Sequence, residues 1–66
     1  MSHSVELIVN GYVRLNDRGA LERLLAHRRE LLTRLKNVTG VDPRQAIAQI
    51  CQEIAVIEAG LATIAQ

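Results

Sequence analysis

The second half of the chain carries a regular apolar repeat. Isoleucine and leucine recur at alternating spacings of three and four residues, which places them in one line along a helix. Cys51 and several alanines widen this apolar face, so it is broad enough to contact more than one neighbouring helix. We therefore predict a helix over residues 43–65 whose seam is buried against other helices. The seam consists of Ile47, Ile50, Ile54, Ile57, Leu61 and Ile64.

The residues before this repeat are typical of a helix start. Asp42 can accept hydrogen bonds from free amides of the first turn, and Pro43 suits the first helical position. Upstream, apolar residues at helical spacing predict another helix over residues 18–37, and a short connection around Gly40 makes the two helices antiparallel neighbours. The apolar residues of that helix are Ala20, Leu21, Leu24, Leu25, Leu31, Leu32 and Leu35.

The apolar segment 4–15 is compatible with two structures. Asn10-Gly11 between β-branched runs is a strong indication of a β-hairpin. A two-stranded ribbon here would be apolar on both faces with little to cover it. The same residues fit one face of a helix, which could continue into the next one. We favour the helix, keep the β-hairpin as the alternative, and predict one all-α domain over residues 1–66.

A chain of 66 residues buries only about 60% of the surface that its unfolded form exposes. Small domains of this size are commonly stabilised by disulfides, metals or association. Cys51 is the single cysteine, so an intrachain disulfide is impossible and a reducing, cytoplasmic setting is expected. We see neither a signal peptide nor an apolar run long enough to span a membrane. Association with a partner is therefore the favoured source of stability.

Glu58 is the polar residue that fits its surroundings least well. It falls inside the apolar face of the second predicted helix, where an unpaired carboxylate would be strongly disfavoured. Pairing residues across the connection places Glu58 near Arg23. We predict a structural ion pair between Glu58 and Arg23 that fixes the register of the two helices.

No residue cluster has the spacing of a catalytic, cofactor or metal site. His27 is expected at a helix interface, Cys51 in the core and His3 in the terminal segment. We therefore predict no enzymatic activity, no cofactor and no metal.

Arginines are concentrated in the first predicted helix of the pair, which is the main charge asymmetry of the chain. Arg28 and Arg29 are candidates for contacts with nucleic-acid phosphates. No aromatic side chains stand among these arginines to stack on bases, so a solvated charged face explains them as well. Nucleic-acid binding is the alternative hypothesis.

The first hypothesis is a small helical module that self-associates, most simply as a homodimer of helical hairpins forming a bundle, and acts through contacts with a protein partner. Its predicted interface is the seam of the second helix together with two leucines of the first. These residues are Ile47, Ile50, Ile54, Ile57, Leu61, Ile64, Leu24 and Leu31.

Overall fold

A computed structural model describes residues 3–64, and within that range the chain is helical and contains no strand. The helices are α1 (His3–Arg14), α2 (Arg18–Lys36) and α3 (Arg44–Thr63). The all-α prediction is confirmed, and the alternative β-hairpin at Asn10-Gly11 is wrong. The helical form places Val5 and Val9 on one face, and both are buried. A hairpin would have divided the apolar residues of this segment between two faces, only one of which could be covered.

A tight turn separates α1 from α2, so the two do not form one continuous helix. Asn16 adopts a left-handed conformation with φ of 55°. The amide of Asn16 donates to the Val13 carbonyl at 3.0 Å and that of Asp17 to the Tyr12 carbonyl at 2.9 Å. This is the Schellman arrangement that closes many helices. Asp17 then caps α2, because its Oδ1 accepts from the Ala20 amide at 3.0 Å.

The packing of α2 against α3 is defined by two contacts. Leu21 lies beside Gly60 near one end of the pair, and Arg28 pairs with Glu53 nearer the other. Residue numbers rise along α2 while they fall along α3, so the two helices run in opposite directions. They are joined by residues 37–43, within which Gly40 has a positive φ of 86°.

The beginning of α3 differs from the prediction by one residue. Pro43 occupies the N-cap position and not the first helical position, and it makes no side-chain capping bond. Asp42 does accept from a first-turn amide, that of Arg44, at 3.1 Å. Its carboxylate is further held by the Arg44 guanidinium, with Nη2 to Oδ2 at 2.8 Å.

The core lies where all three helices meet. Leu21 and Ile57 are completely buried, and α1 contributes Val5 and Val9. Since α1 has 12 residues, it is about 18 Å long, against about 30 Å for α3. Its buried Val5 and Val9 share the core cluster with Leu21 of α2, Ile57 of α3 and Ile64, the residue that follows α3. The half of the pair next to the connection consists of two helices only.

This incomplete coverage gives the molecule an elongated shape. Its principal extents are 43 × 19 × 13 Å and its radius of gyration is 12.8 Å. A compact domain of this length would have a radius of about 10.8 Å. The chain therefore retains more surface per residue than a spherical domain, which leaves apolar side chains without cover.

Candidate interaction surfaces

A partly buried ion pair links α2 to α3. Arg28 Nε donates to Glu53 Oε1 at 2.8 Å, and the two side chains are 19% and 8% exposed. Arg28 Nη1 also lies 2.7 Å from His27 Nδ1; because a guanidinium can only donate, the imidazole nitrogen is the acceptor. Glu53 shares the inward face of α3 with Ile57, four residues later.

Glu58 pairs with Arg29 and not with Arg23, which corrects the predicted ion pair. The distance from Arg29 Nη2 to Glu58 Oε2 is 3.0 Å, and both side chains are at least half exposed. The pairing across the connection located Arg23 at the correct level, but Arg23 points to the other side of α2. There it borders a groove with Ile8 and Tyr12 of α1. The register pair between α2 and α3 is thus Arg28 with Glu53, one turn closer to the connection.

Most of the basic charge on α2 is matched by carboxylates. Besides the two interhelical pairs, Arg18 contacts Glu22 at 3.2 Å and Arg34 contacts Glu30 at 3.1 Å. The last of these is the helical pair that the sequence spacing suggests. Arg28 and Arg29, the candidate nucleic-acid contacts, are therefore both held by carboxylates of α3.

The predicted oligomer interface is divided by the fold. Ile57 and Ile64 belong to the core within the chain, where they are 0% and 5% exposed. The other predicted interface residues are half-buried along the packed helices. These are Ile47, Ile50, Ile54, Leu61, Leu24 and Leu31. The most regular apolar feature of the sequence thus serves intrachain packing first.

Gly60 allows α1 to approach α3 closely. A Cβ atom added to this glycine would lie 2.5 Å from Val9 Cγ1 and 3.4 Å from Val13 Cγ2. Real Cβ atoms essentially never come as close to another heavy atom as the first of these distances. Gly60 is not among the residues predicted from the sequence to form an interface. Its one available indication was a glycine inside a helical pattern, which costs about 1 kcal/mol and usually has a packing reason.

The outer side of α1 is the most exposed apolar surface. Leu7 is 72% exposed, Ile8 46% and Leu15 74%. Leu7, Gly11 and Leu15 are spaced by four residues and lie in line along the helix. The amide of Leu15 still donates to the Gly11 carbonyl at 3.1 Å, so Leu15 continues the helical geometry. We call Leu7, Ile8, Gly11 and Leu15 the α1 stripe.

An open groove adjoins the α1 stripe between α1 and α2. Its apolar walls are formed by Ile8, Tyr12, Ala20 and Leu24, and Arg23 and His27 complete its lining. His27, expected at a helix interface, is exposed in the structure. The groove and the stripe together give this end of the molecule a mixed apolar and basic surface.

Cys51 is an exposed free thiol, so its expected place in the core is wrong. Its side chain lies on the exposed side of α3. Among residues 3–64, no group of three or more histidine, cysteine, aspartate or glutamate side chains could hold a metal ion. The side chain of His3, expected in the terminal segment, lies outside the described part of the structure.

α3 is also long and apolar enough, by length and composition alone, to cross a membrane. It has 20 residues, and only 17% of its most apolar window is buried. One such helix is weak evidence, because the core helix of a soluble protein passes the same test.

The ion pair at the start of α3 perturbs two ionisable groups. Hydrogen bonds from the Arg44 side chain and backbone lower the pKa of Asp42 below its ordinary value of 3.8. The Asp42 carboxylate in turn raises the pKa of Arg44. Both groups are fully exposed, so the interaction fixes the geometry of the helix start more than it stabilises the fold.

Comparisons with protein-family models, with curated proteins and with solved structures found no match to this chain. The interpretation of its surfaces therefore depends on their chemistry.

Proposed function

We propose that this protein is a small helical interaction module that acts through protein–protein contacts, beginning with its own self-association. The observation that carries the proposal is the α1 stripe: Leu7 and Ile8 of α1 and Leu15 just after it remain exposed, while the opposite face of the same helix is buried in the core. Contiguous exposed apolar surface of this kind commonly marks an interaction site.

The size of the exposed surface suggests a weak complex. Fully burying one leucine or isoleucine contributes about 1.5–3 kcal/mol. Two stripes of three partly exposed residues would then contribute roughly 6–10 kcal/mol, against an association cost of at least about 4 kcal/mol. We expect a homodimer that dissociates in the high-micromolar range, and a larger heterologous surface would bind more tightly.

The half-buried seam next to the connection is the other candidate interface. Ile47, Ile50 and Ile54 are half-buried and do not belong to the core cluster where the three helices meet, so a second hairpin could pack there and form a helical bundle. An Ile50→Asp variant that stays helical but no longer self-associates would favour this surface. We place the module in the cytoplasm, on the grounds of its single unpaired cysteine.

Light scattering behind size exclusion, together with sedimentation velocity from about 10 µM to 1 mM, tests the proposal. We expect the average mass to rise with concentration from one chain towards two. A strictly monomeric, cooperatively folded chain across that range would refute self-association.

Nucleic-acid binding through Arg28 and Arg29 has less support, because a phosphate would have to displace Glu53 and Glu58 from them. Such binding should weaken steeply with salt and with Arg29→Ala. Affinity for a DNA or RNA duplex that does not change across a salt series would exclude this alternative.

A further inference from the structure

Gly11 has no role in packing within the described chain. A Cβ added there would meet nothing within 4 Å, in contrast to Gly60. A glycine inside a helix costs about 1 kcal/mol relative to alanine, and the fold supplies no reason for it here. Gly11 also lies midway between Leu7 and Leu15, so the α1 stripe has two large side chains with a gap between them.

The α1 stripe of one chain is complementary to the same stripe of a second chain that runs in the opposite direction. In an antiparallel crossing, Leu7 of one chain meets Leu15 of the other at both ends, and the two Gly11 residues face each other. This is the reciprocal pattern that a twofold symmetric interface requires. Rows of side chains spaced by four residues also favour a common class of helix crossing.

The charges beside the stripe fit the same arrangement. Glu6 precedes Leu7 and Arg14 precedes Leu15, so each lies on the same side of its leucine, and Glu6 lines the groove between α1 and α3. In an antiparallel pair, the same flank of each helix lies on the same side of the interface. Glu6 of one chain is therefore near Arg14 of the other, and this pairing occurs twice in the dimer. Within residues 3–64, neither side chain has an oppositely charged group within 4 Å, whereas α2 has most of its charges paired.

We propose that a second copy of this chain docks on the α1 stripe, with the two α1 helices antiparallel and crossing at Gly11, and with Glu6 facing Arg14 across the interface. This inference rests on the proposed self-association and specifies its surface. The contact area of two 12-residue helices falls below the roughly 800 Å² per partner of a stable complex. The dimer is therefore transient, with a dissociation constant in the high-micromolar range.

The first test removes the apolar contacts. Leu7→Asp and Leu15→Asp should each abolish dimer detectable by sedimentation up to about 1 mM, and Gly11→Gln should weaken it at least tenfold by preventing close approach. Val41→Asp is the matched control, because Val41 is 68% exposed but lies in the connection before α3. It should leave dimerisation unchanged. Circular dichroism should show that every variant is folded, since all the changed positions are exposed.

The second test concerns orientation. Glu6→Arg and Arg14→Glu should each weaken self-association roughly tenfold, because like charges then face each other at two places. Mixing the two single variants should restore association, since each then offers the charges that the other lacks. A purely structural role of either residue would not produce this recovery. Parallel helices or another surface would also give no preference for the mixed pair.

The outcomes separate this inference from the proposal it rests on. A wild-type chain that is monomeric at 1 mM would overturn both. A dimer that persists in Leu7→Asp would retain self-association but overturn the α1 interface and direct attention to Ile50. A wild-type monomer that cosediments with phosphatidylcholine–phosphatidylglycerol vesicles, and loses this binding in Leu7→Asp, would replace the second copy with an anionic lipid surface.

Discussion

Adding one methyl group to each of two glycines should change stability in opposite directions. Both Gly11 and Gly60 lie inside helices, so alanine gains about 1 kcal/mol of helix propensity at either position. Only at Gly60 does the methyl meet another side chain, 2.5 Å from Val9 Cγ1. Ordinary van der Waals contact requires about another ångström, so α1 must move or Val9 must change its conformation.

The steric cost exceeds the gain in propensity. Inserting a methyl group into a packed interface costs about 1–3 kcal/mol, and the 2.5 Å approach to Val9 Cγ1 places Gly60→Ala in the upper part of that range. We therefore expect Gly60→Ala to lower the free energy of unfolding by about 1–2 kcal/mol and Gly11→Ala to raise it by about 0.5–1 kcal/mol. For a domain of this size, 1 kcal/mol shifts the midpoint by about 4–8 °C. The two variants should thus differ in melting midpoint by roughly 6–24 °C.

Thermal and urea unfolding followed by circular dichroism at about 10 µM would measure this difference while the chain is mostly monomeric. Val9→Ala in the Gly60→Ala background should recover about 1 kcal/mol relative to the sum of the single changes, because it removes the methyl group involved in the clash. If Gly60→Ala proves as stable as Gly11→Ala, then α1 does not pack against α3 as described.

Three further expectations concern polar contacts. Glu53→Ala leaves Arg28 unpaired in a largely buried position and should cost about 2–3 kcal/mol in urea unfolding, whereas Glu58→Ala should cost less than about 1 kcal/mol; equal losses would contradict the difference in burial. Asn16→Val should destabilise the fold by about 1–2 kcal/mol while Asn16→Gly is tolerated, because φ is positive there; a harmless valine would contradict the turn. The pKa of Asp42 is depressed in the folded chain, so its contribution is complete above the ordinary value of 3.8 and is lost as the pH falls through the folded value; Arg44→Gln should raise that pKa towards its ordinary value in an NMR titration, and an unchanged titration would show that the ion pair does not form.

The packing of α1 also explains why the surface left exposed for partners differs from the predicted interface. The Ile47–Ile64 repeat was expected to meet a second chain because it is wider than one helix can cover. In the structure, α2 covers part of that face and α1 folds back over another part. The face is wide enough for two neighbouring helices, and at one end α1 of the same chain is the second of them. The surface left for partners is accordingly the outer side of α1.

Local sequence determined the helices and their ends. The spacing of Ile47, Ile50 and Ile54 is sufficient to define a helix, and Asp42 orients its first turn whichever residue is counted as the cap. The charge spacing of Glu30 and Arg34 likewise predicts their pair, because residues four apart on a helix are neighbours whatever surrounds them.

Only the tertiary structure decided which side of each helix faces a neighbour and which contacts join segments that are distant in sequence. The short connection places Arg23 and Glu58 at the same level along the two helices. Which side of α2 faces α3 depends on how all three helices pack, and in that packing Arg29 is the partner of Glu58. Glu53 is buried for the same reason. Gly60 acquires its role only from Val9, about fifty residues away, because close packing is a property of two surfaces and one sequence segment specifies only one of them.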